Sequence, residues 1–239
     1  MATVALAIAP FFGPALAAAR PDVWAAVGVH PNDIGHLDDH CLCEIEQLSQ
    51  QPRVVAIGEI GLDYHWNTFP RQQQIDGFVR QLQLAQRLHL PVIIHCRDAY
   101  DDLMETLDEI DPIDGERRVA VLLHSFAGKP AHARAAIAKG YFLGIGGPLT
   151  YKNAHTLRDI VRATPLAHIV LETDAPDIPP QWLYLTAEQR AAGARSRNEP
   201  AELPRIAETL AALRGWTLAE TAAVTCANAR RVLPKLAPC

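Results

Sequence analysis

The sequence predicts an α/β fold on a parallel sheet, most simply a (β/α) barrel forming one domain over residues 1–239. Three observations carry this expectation. Short apolar runs alternate with amphipathic stretches from one end of the chain to the other. The apolar runs are continuous in Val, Ile, Leu and Ala, as in strands covered on both faces. A length of 239 residues with no Pro- or Ser-rich linker suits a single barrel domain.

The strand candidates are VALAIA (4–9), VWAAVGV (23–29), VVAIGEIGL (54–62), PVIIHC (91–96), VAVLLHS (119–125), YFLGIG (141–146) and HIVLETD (168–174). Between them, Pro70 opens a helix carrying Ile75, Phe78, Val79, Leu82, Ala85 and Leu88 at three- and four-residue spacing. Asn153 is a helix cap by residue type, ahead of Leu157, Ile160 and Val161. Gly215 ends one helix, and Thr217 with Glu220 forms a capping box for the next. Ala175 to Pro200 is the longest irregular stretch, a length usually tied to function or mobility. The count is seven strands, whereas a closed barrel has eight. Either one strand escapes the pattern, or the sheet is open, or a unit is absent.

Composition excludes several classes. A chain that is 49% hydrophobic and 21% charged is not disordered. A net charge of −5 excludes coating of nucleic acid through bulk positive charge, but not phosphate binding at one metal site. Five Cys, at 41, 43, 96, 226 and 239, form no paired framework and fit a reduced, cytoplasmic setting. No apolar run is long enough to span a membrane. The apolar segment 1–21 has no basic residue before Arg20 and is broken by Pro10, Gly13 and Pro14, so it reads as a strand, loop and short helix rather than a signal peptide.

Chemistry concentrates where the strands end. His30, Glu59, His95, His124 and Asp174 lie at or near the C-terminal ends of five different runs, the edge where α/β barrels build their sites. Alone, each has a duller alternative: a hydrogen-bonded core His or a capping Asp. Together, imidazoles and carboxylates suit a borderline divalent metal such as Zn²⁺ or Mn²⁺. Strand alternation sets His95 and Cys96 on opposite faces, which makes Cys96 packing. Ser125 reads as a neighbour supporting His124. His36, His40, Cys41 and Cys43 do not have a zinc spacing and read as a solvated entry into a helix. The chain has no Walker loop, no G-x-G-x-x-G and no G-x-S-x-G elbow.

The segments AVGVHP, AIGEIGLDYHW, PVIIHCRDA, LLHSFAG, GIGGPLTYKNA, LETDAPDIPP and RNEP follow in this order over residues 26–200, and the final helix ends in NARRVL. In these motifs the chain strongly resembles the TatD family of metal-dependent deoxyribonucleases, among the amidohydrolase-like TIM barrels. The resemblance implies a hydrolase of DNA phosphodiesters, often a 3′→5′ exonuclease, holding two divalent ions such as Mg²⁺, Mn²⁺ or Zn²⁺. By motif, Glu59 would bridge two metals, His95 and His124 would ligate one, and Asp174 would ligate the other and serve the attacking water. His30 would lie near the scissile phosphate, with Arg97, Arg197, Asn198 and Glu199 in support or on phosphate. Trp66, Trp182 and Tyr184 would either stack a splayed base or pack. DNA is the implied partner, with no membrane and no obligate protein partner.

The chain departs from the family pattern at one point. The family opens with a strand ending in His-x-His, and this sequence contains no His-x-His. The expectation is therefore a TIM-type barrel of seven strands, lacking its first βα unit, with the site that Asp174 shares incomplete. A start codon inside the fold and a natural short form both account for this. Two other functions stay open at this point. One is a metal-dependent hydrolase of another ester or amide, such as an aminoacyl-tRNA deacylase. The other is a barrel fragment that binds metal or nucleic acid without turnover.

Overall fold

The computed structural model describes residues 5–8, 13–111 and 118–236; Cys239 lies outside them. All seven expected runs contain strands: β1 (Ala5–Ile8), β2 (Val23–Val27), β3 (Val54–Asp63), β4 (Val92–Arg97), β5 (Val121–Leu123), β6 (Phe142–Ile145) and β7 (Ile169–Leu171). They pair in parallel, in chain order, as one sheet in which β1 and β7 are the edges. The helices are α1 (Gly13–Ala19), α2 (Asp39–Ser49), α3 (Arg71–Leu88), α4 (Tyr100–Ile110), α5 (Pro130–Ala138), α6 (His155–Ala163), α7 (Ala187–Ala191), α8 (Leu203–Arg214) and α9 (Leu218–Val232). None of them is long and apolar enough to cross a membrane.

Alternation along each strand divides the core in two. Residues such as Val54, Val92, Ile94, Val121, Leu123 and Leu143 face outward and pack under helices. The other face contributes Ala26, Val55, Ala56, Ile93, Leu122, Phe142 and Val170, which close around Val232 and Leu233 at the end of α9. A flat sheet would not bring β2 and β7 to the same plug, so the sheet is curled with α9 feeding its floor. Over the described residues the sheet is open, curled and seven-stranded, in agreement with the seven runs read from the sequence.

The caps follow local chemistry. Thr217 and Glu220 form the expected capping box of α9, and Gly215 closes α8 at φ +70°. The Asn153 cap is corrected: α6 begins at His155 behind Ala154, with no side-chain cap, while the Asn153 carbonyl accepts the His155 N–H. Asp38 caps α2 by accepting the Cys41 N–H at 2.8 Å, so His40, Cys41 and Cys43 ride on a helix. The 175–200 stretch is not structureless, since it contains α7 and a short 3₁₀ turn at Gln181–Leu183.

Buried amides finish the strand ends where the ladder stops. Gln81 takes the Val29 N–H at 2.7 Å and donates to the Val29 carbonyl at 3.0 Å. Gln74 does the same for Asp63, at 2.8 and 2.9 Å. Asn228 on α9 donates to the Leu166 and Ile169 carbonyls, locking the start of β7. Without these partners, buried backbone groups would each cost about 1–3 kcal/mol.

Gly61 is where β3 passes closest to β4. Its φ is +140°, and a Cβ there would lie 2.0 Å from the His95 carbonyl oxygen. Gly61→Ala should therefore lower stability by roughly 2–5 kcal/mol through strained backbone and overpacking. Urea unfolding checks this, and an unchanged midpoint would refute the close approach.

Candidate metal centre

The inner face changes character one step above its apolar floor. Two residues past Ile93 comes His95, two past Leu122 comes His124, and two past Val170 comes Glu172. Two past Phe142 comes Gly144, whose missing side chain leaves room for Glu172; a Cβ there would meet the Glu172 carboxylate at 2.8 Å. The same pleat turns Cys96 the other way, into the layer under the helices, as alternation requires.

Glu59 is the centre of the cluster. His95 Nδ1 lies 3.1 Å from Glu59 Oε1, and His124 Nε2 lies 3.5 Å from the same oxygen. Each ring is backed by a second carboxylate. His95 Nε2 meets Asp63 Oδ2 at 2.9 Å, and His124 Nδ1 meets Glu172 Oε2 at 2.8 Å. Asp174 Oδ1 sits 3.1 Å from His124 Nε2. His30 packs edge-on against His95, with ring centroids 4.4 Å apart. Donor atoms of His30, Glu59 and His95 all fall within 4.8 Å of one another, which is metal-site spacing. Among the described residues no other such group occurs, and that includes the segment with His36, His40, Cys41 and Cys43.

Asp63 and Glu172 are the functional residues that sequence reasoning missed. Asp63 is buried; its Oδ1 accepts the His65 and Trp66 N–H groups and its Oδ2 the Asn32 amide. Glu172 Oε1 also takes the Ser125 N–H at 2.6 Å, which ties Ser125 to His124 as expected. The signal was available in the period of two: Glu172 shares a face with Val170, and Asp63 ends the strand that carries Glu59.

Electrostatics follow from this crowding. Burial alone would raise the Glu59 pKa, but His124, His95 and His30 outweigh it and hold it at about 2. Glu59 is thus ionised at any working pH. Burial, reinforced by His95, lowers the His30 pKa, so its ring is neutral. His30 Nδ1 accepts the Asn32 N–H at 3.1 Å, which leaves the proton of the neutral ring on Nε2. His30 therefore satisfies the metal spacing while presenting a donor, not a lone pair. Burial opposes charge on His124, yet Glu172, Glu59 and Asp174 raise its pKa well above the ordinary value. Four carboxylates around three imidazoles carry negative charge that a divalent cation would balance, and the donor set fits one.

The backbone bends sharply at two of these positions. Ser125 and Asp174 have φ of +44° and +53°, conformations that non-glycine residues hold mainly where the surroundings fix them. Asn198 is buried and donates to the carbonyls of Thr173 and Asp177, bracing the loop that carries Asp174. Arg197 is exposed and paired with Glu199 at 3.6 Å. Arg97 is exposed and lies 5.7 Å from the centre of the Trp66 ring. Trp182 donates its indole N–H to Glu202 and packs beneath Arg205, so it is structural.

Residues 14–234 match the family model described as TatD related DNase. The chain belongs to this family. A relative in Bacillus subtilis, the uncharacterized metal-dependent hydrolase YabD, is 36% identical over 210 residues, covering 88% of this chain and 77% of its own. The Salmonella typhimurium 3′-5′ ssDNA/RNA exonuclease TatD is 37% identical over 217 residues, covering 90% and 79%. The solved structure of the TatD homologue YJJV from Escherichia coli K12 superposes with a TM-score of 0.84 at 31% identity, covering 98% of this chain and 86% of that one.

Carboxylates behind metal-ligating histidines generally fix ring orientation and basicity. Glu172→Gln should weaken binding of a divalent ion by about 10- to 100-fold, because such partners typically carry that much. Calorimetric titration of the metal reads it, and an unaltered affinity would show that Glu172 does not position His124.

Proposed function

We propose that this chain is a metal-dependent DNA hydrolase that shortens single strands from the 3′ end. The observation that carries the reading is the pair of carboxylate-backed histidines, His95 and His124, both turned onto Glu59 at the C-terminal edge of the sheet. The named activity of the Salmonella relative supports the same substrate class.

Glu59, His95 and His124 would hold one divalent ion, and Glu59 with Asp174 would offer an incomplete second position. When bound, such an ion neutralises charge on phosphoryl oxygens and lowers the pKa of water. The chain's own groups do the rest. Asp63 and Glu172 keep the two rings turned toward Glu59. Asp174, on its strained backbone, is the carboxylate that accepts a proton from the attacking water. His30 donates from Nε2 to a phosphate oxygen, a role its engaged Nδ1 favours over ligation. Exposed Arg97 meets the phosphate of a neighbouring nucleotide.

The decisive assay uses 5′-labelled single-stranded DNA with Mg²⁺, Mn²⁺ or Zn²⁺ added singly. The expected result is a ladder shortening from the 3′ end, abolished by EDTA and by Glu59→Ala. Full cleavage by folded Glu59→Ala, or no cleavage by the wild type with any of the three ions, would overturn the reading. Metal titration should also give one tightly held ion per chain, since both histidine pairs, His95 with His124 and His95 with His30, share His95 and Glu59 and so serve a single position. Two ions of equal affinity would refute a single position.

A further inference from the structure

Among the described residues, Trp66 stands apart from the other tryptophans. Trp24 lies under Arg53, Trp182 under Arg205 and Trp216 beside Arg214, each partly buried. Trp66 is 63% exposed, the most exposed of the large apolar side chains. An indole left this open presents a flat apolar face that a ligand can cover. It is not a loose loop residue. Its backbone N–H and that of His65 both go to Asp63 Oδ1, while Asp63 Oδ2 faces His95 at 2.9 Å. One carboxylate therefore ties the backbone that carries the exposed ring to the candidate metal centre.

The ring is also propped. His65 meets it edge-on, with centroids 5.0 Å apart and planes at 90°. Arg97, the register partner of Asp63 across the sheet, brings its guanidinium to 5.7 Å from the ring centre. A fixed, solvent-facing aromatic surface beside a cation is the pairing that a nucleotide requires: a face for the base and a charge for its phosphate. Tyr184 is also exposed, but its hydroxyl is held by Tyr151 at 3.0 Å and no cation lies over its ring.

We propose that Trp66 and Arg97 form a nucleobase-stacking subsite that seats one base of a single strand beside the metal centre. The inference rests on the nuclease reading and names where that strand is gripped. Stacking on an indole is tolerant of sequence, because every base has a π face.

The test combines Trp66→Ala and Trp66→Phe with oligonucleotides carrying one abasic residue, moved stepwise from the 3′ end. Trp66→Ala should raise KM for single-stranded DNA by roughly five- to a hundredfold, the span expected for one base–aromatic stack, and should raise KM far more than it lowers kcat. Trp66→Phe should recover most of the loss. At one abasic position the wild type should lose a similar factor while Trp66→Ala loses nothing more. Equal abasic penalties in both proteins at every position, or an unaltered KM in Trp66→Ala, would overturn the subsite. Trp fluorescence read in EDTA separates this from a failure of the nuclease reading. Quenching by single-stranded DNA in the wild type, lost in Trp66→Phe, supports the stack even if no cleavage occurs; equal quenching in the two proteins, or none in either, refutes it.

Discussion

Glu59 stays ionised inside a crowded site chiefly because His124 and His95 face it, and most of the architecture can be understood as bringing those rings there. Its two nearest imidazoles come from β4 and β5, the next two strands in the sheet. Parallel pairing in chain order puts consecutive strand ends side by side, so residues far apart in sequence arrive at one edge. The approach needs space. Gly61 lets β3 close on β4 beside His95, and Gly144 leaves the gap that Glu172 fills to reach His124. It also needs rigidity, which the buried amides of Gln74 and Gln81 supply by completing the backbone pairing at Asp63 and Val29.

The legibility of this chain divides along the same physical line. Strands covered on both faces leave continuous apolar runs, so all seven were readable, as were the Thr217–Glu220 box and the left-handed Gly215. The strand-end residues His95, His124 and Asp174 stood out because polar groups interrupt apolar runs there. Asp63 and Glu172 did not stand out, because their importance lies in what they touch, not in where they fall. A buried carboxylate that orients a histidine 32 or 48 residues away leaves locally only its strand parity, which places it on a face without saying what it touches. The buried glutamines of α3 were invisible for the same reason: in a helical pattern they count as surface. Ala154 at the head of α6 shows the converse, where the helix cap falls one residue past the Asn that preference alone would have chosen.

An unpaired sheet edge is a liability, and at β7 the exposure is limited. β7 is three residues long, too short to template extended pairing. At β7 the carbonyl of Ile169 is already taken by Asn228, so α9 both plugs the curled floor and occupies part of the edge. The same helix therefore serves core burial and edge protection.

Substrate attraction is the remaining physical problem, because a chain of net charge −5 repels a polyanion at long range. Recognition of a DNA strand must then be local and must not depend on bulk field. In the proposed reading, a divalent ion held at Glu59 would supply concentrated positive charge at the bond to be broken, and Arg97 would supply one more a short distance away. Stacking on an exposed indole adds attraction that charge does not set, so it does not weaken as salt screens the phosphates. It also acts on unpaired bases and not on those stacked within a duplex. A negatively charged protein that grips through one ring, one guanidinium and one metal site would thus select strand ends and single strands without a basic groove.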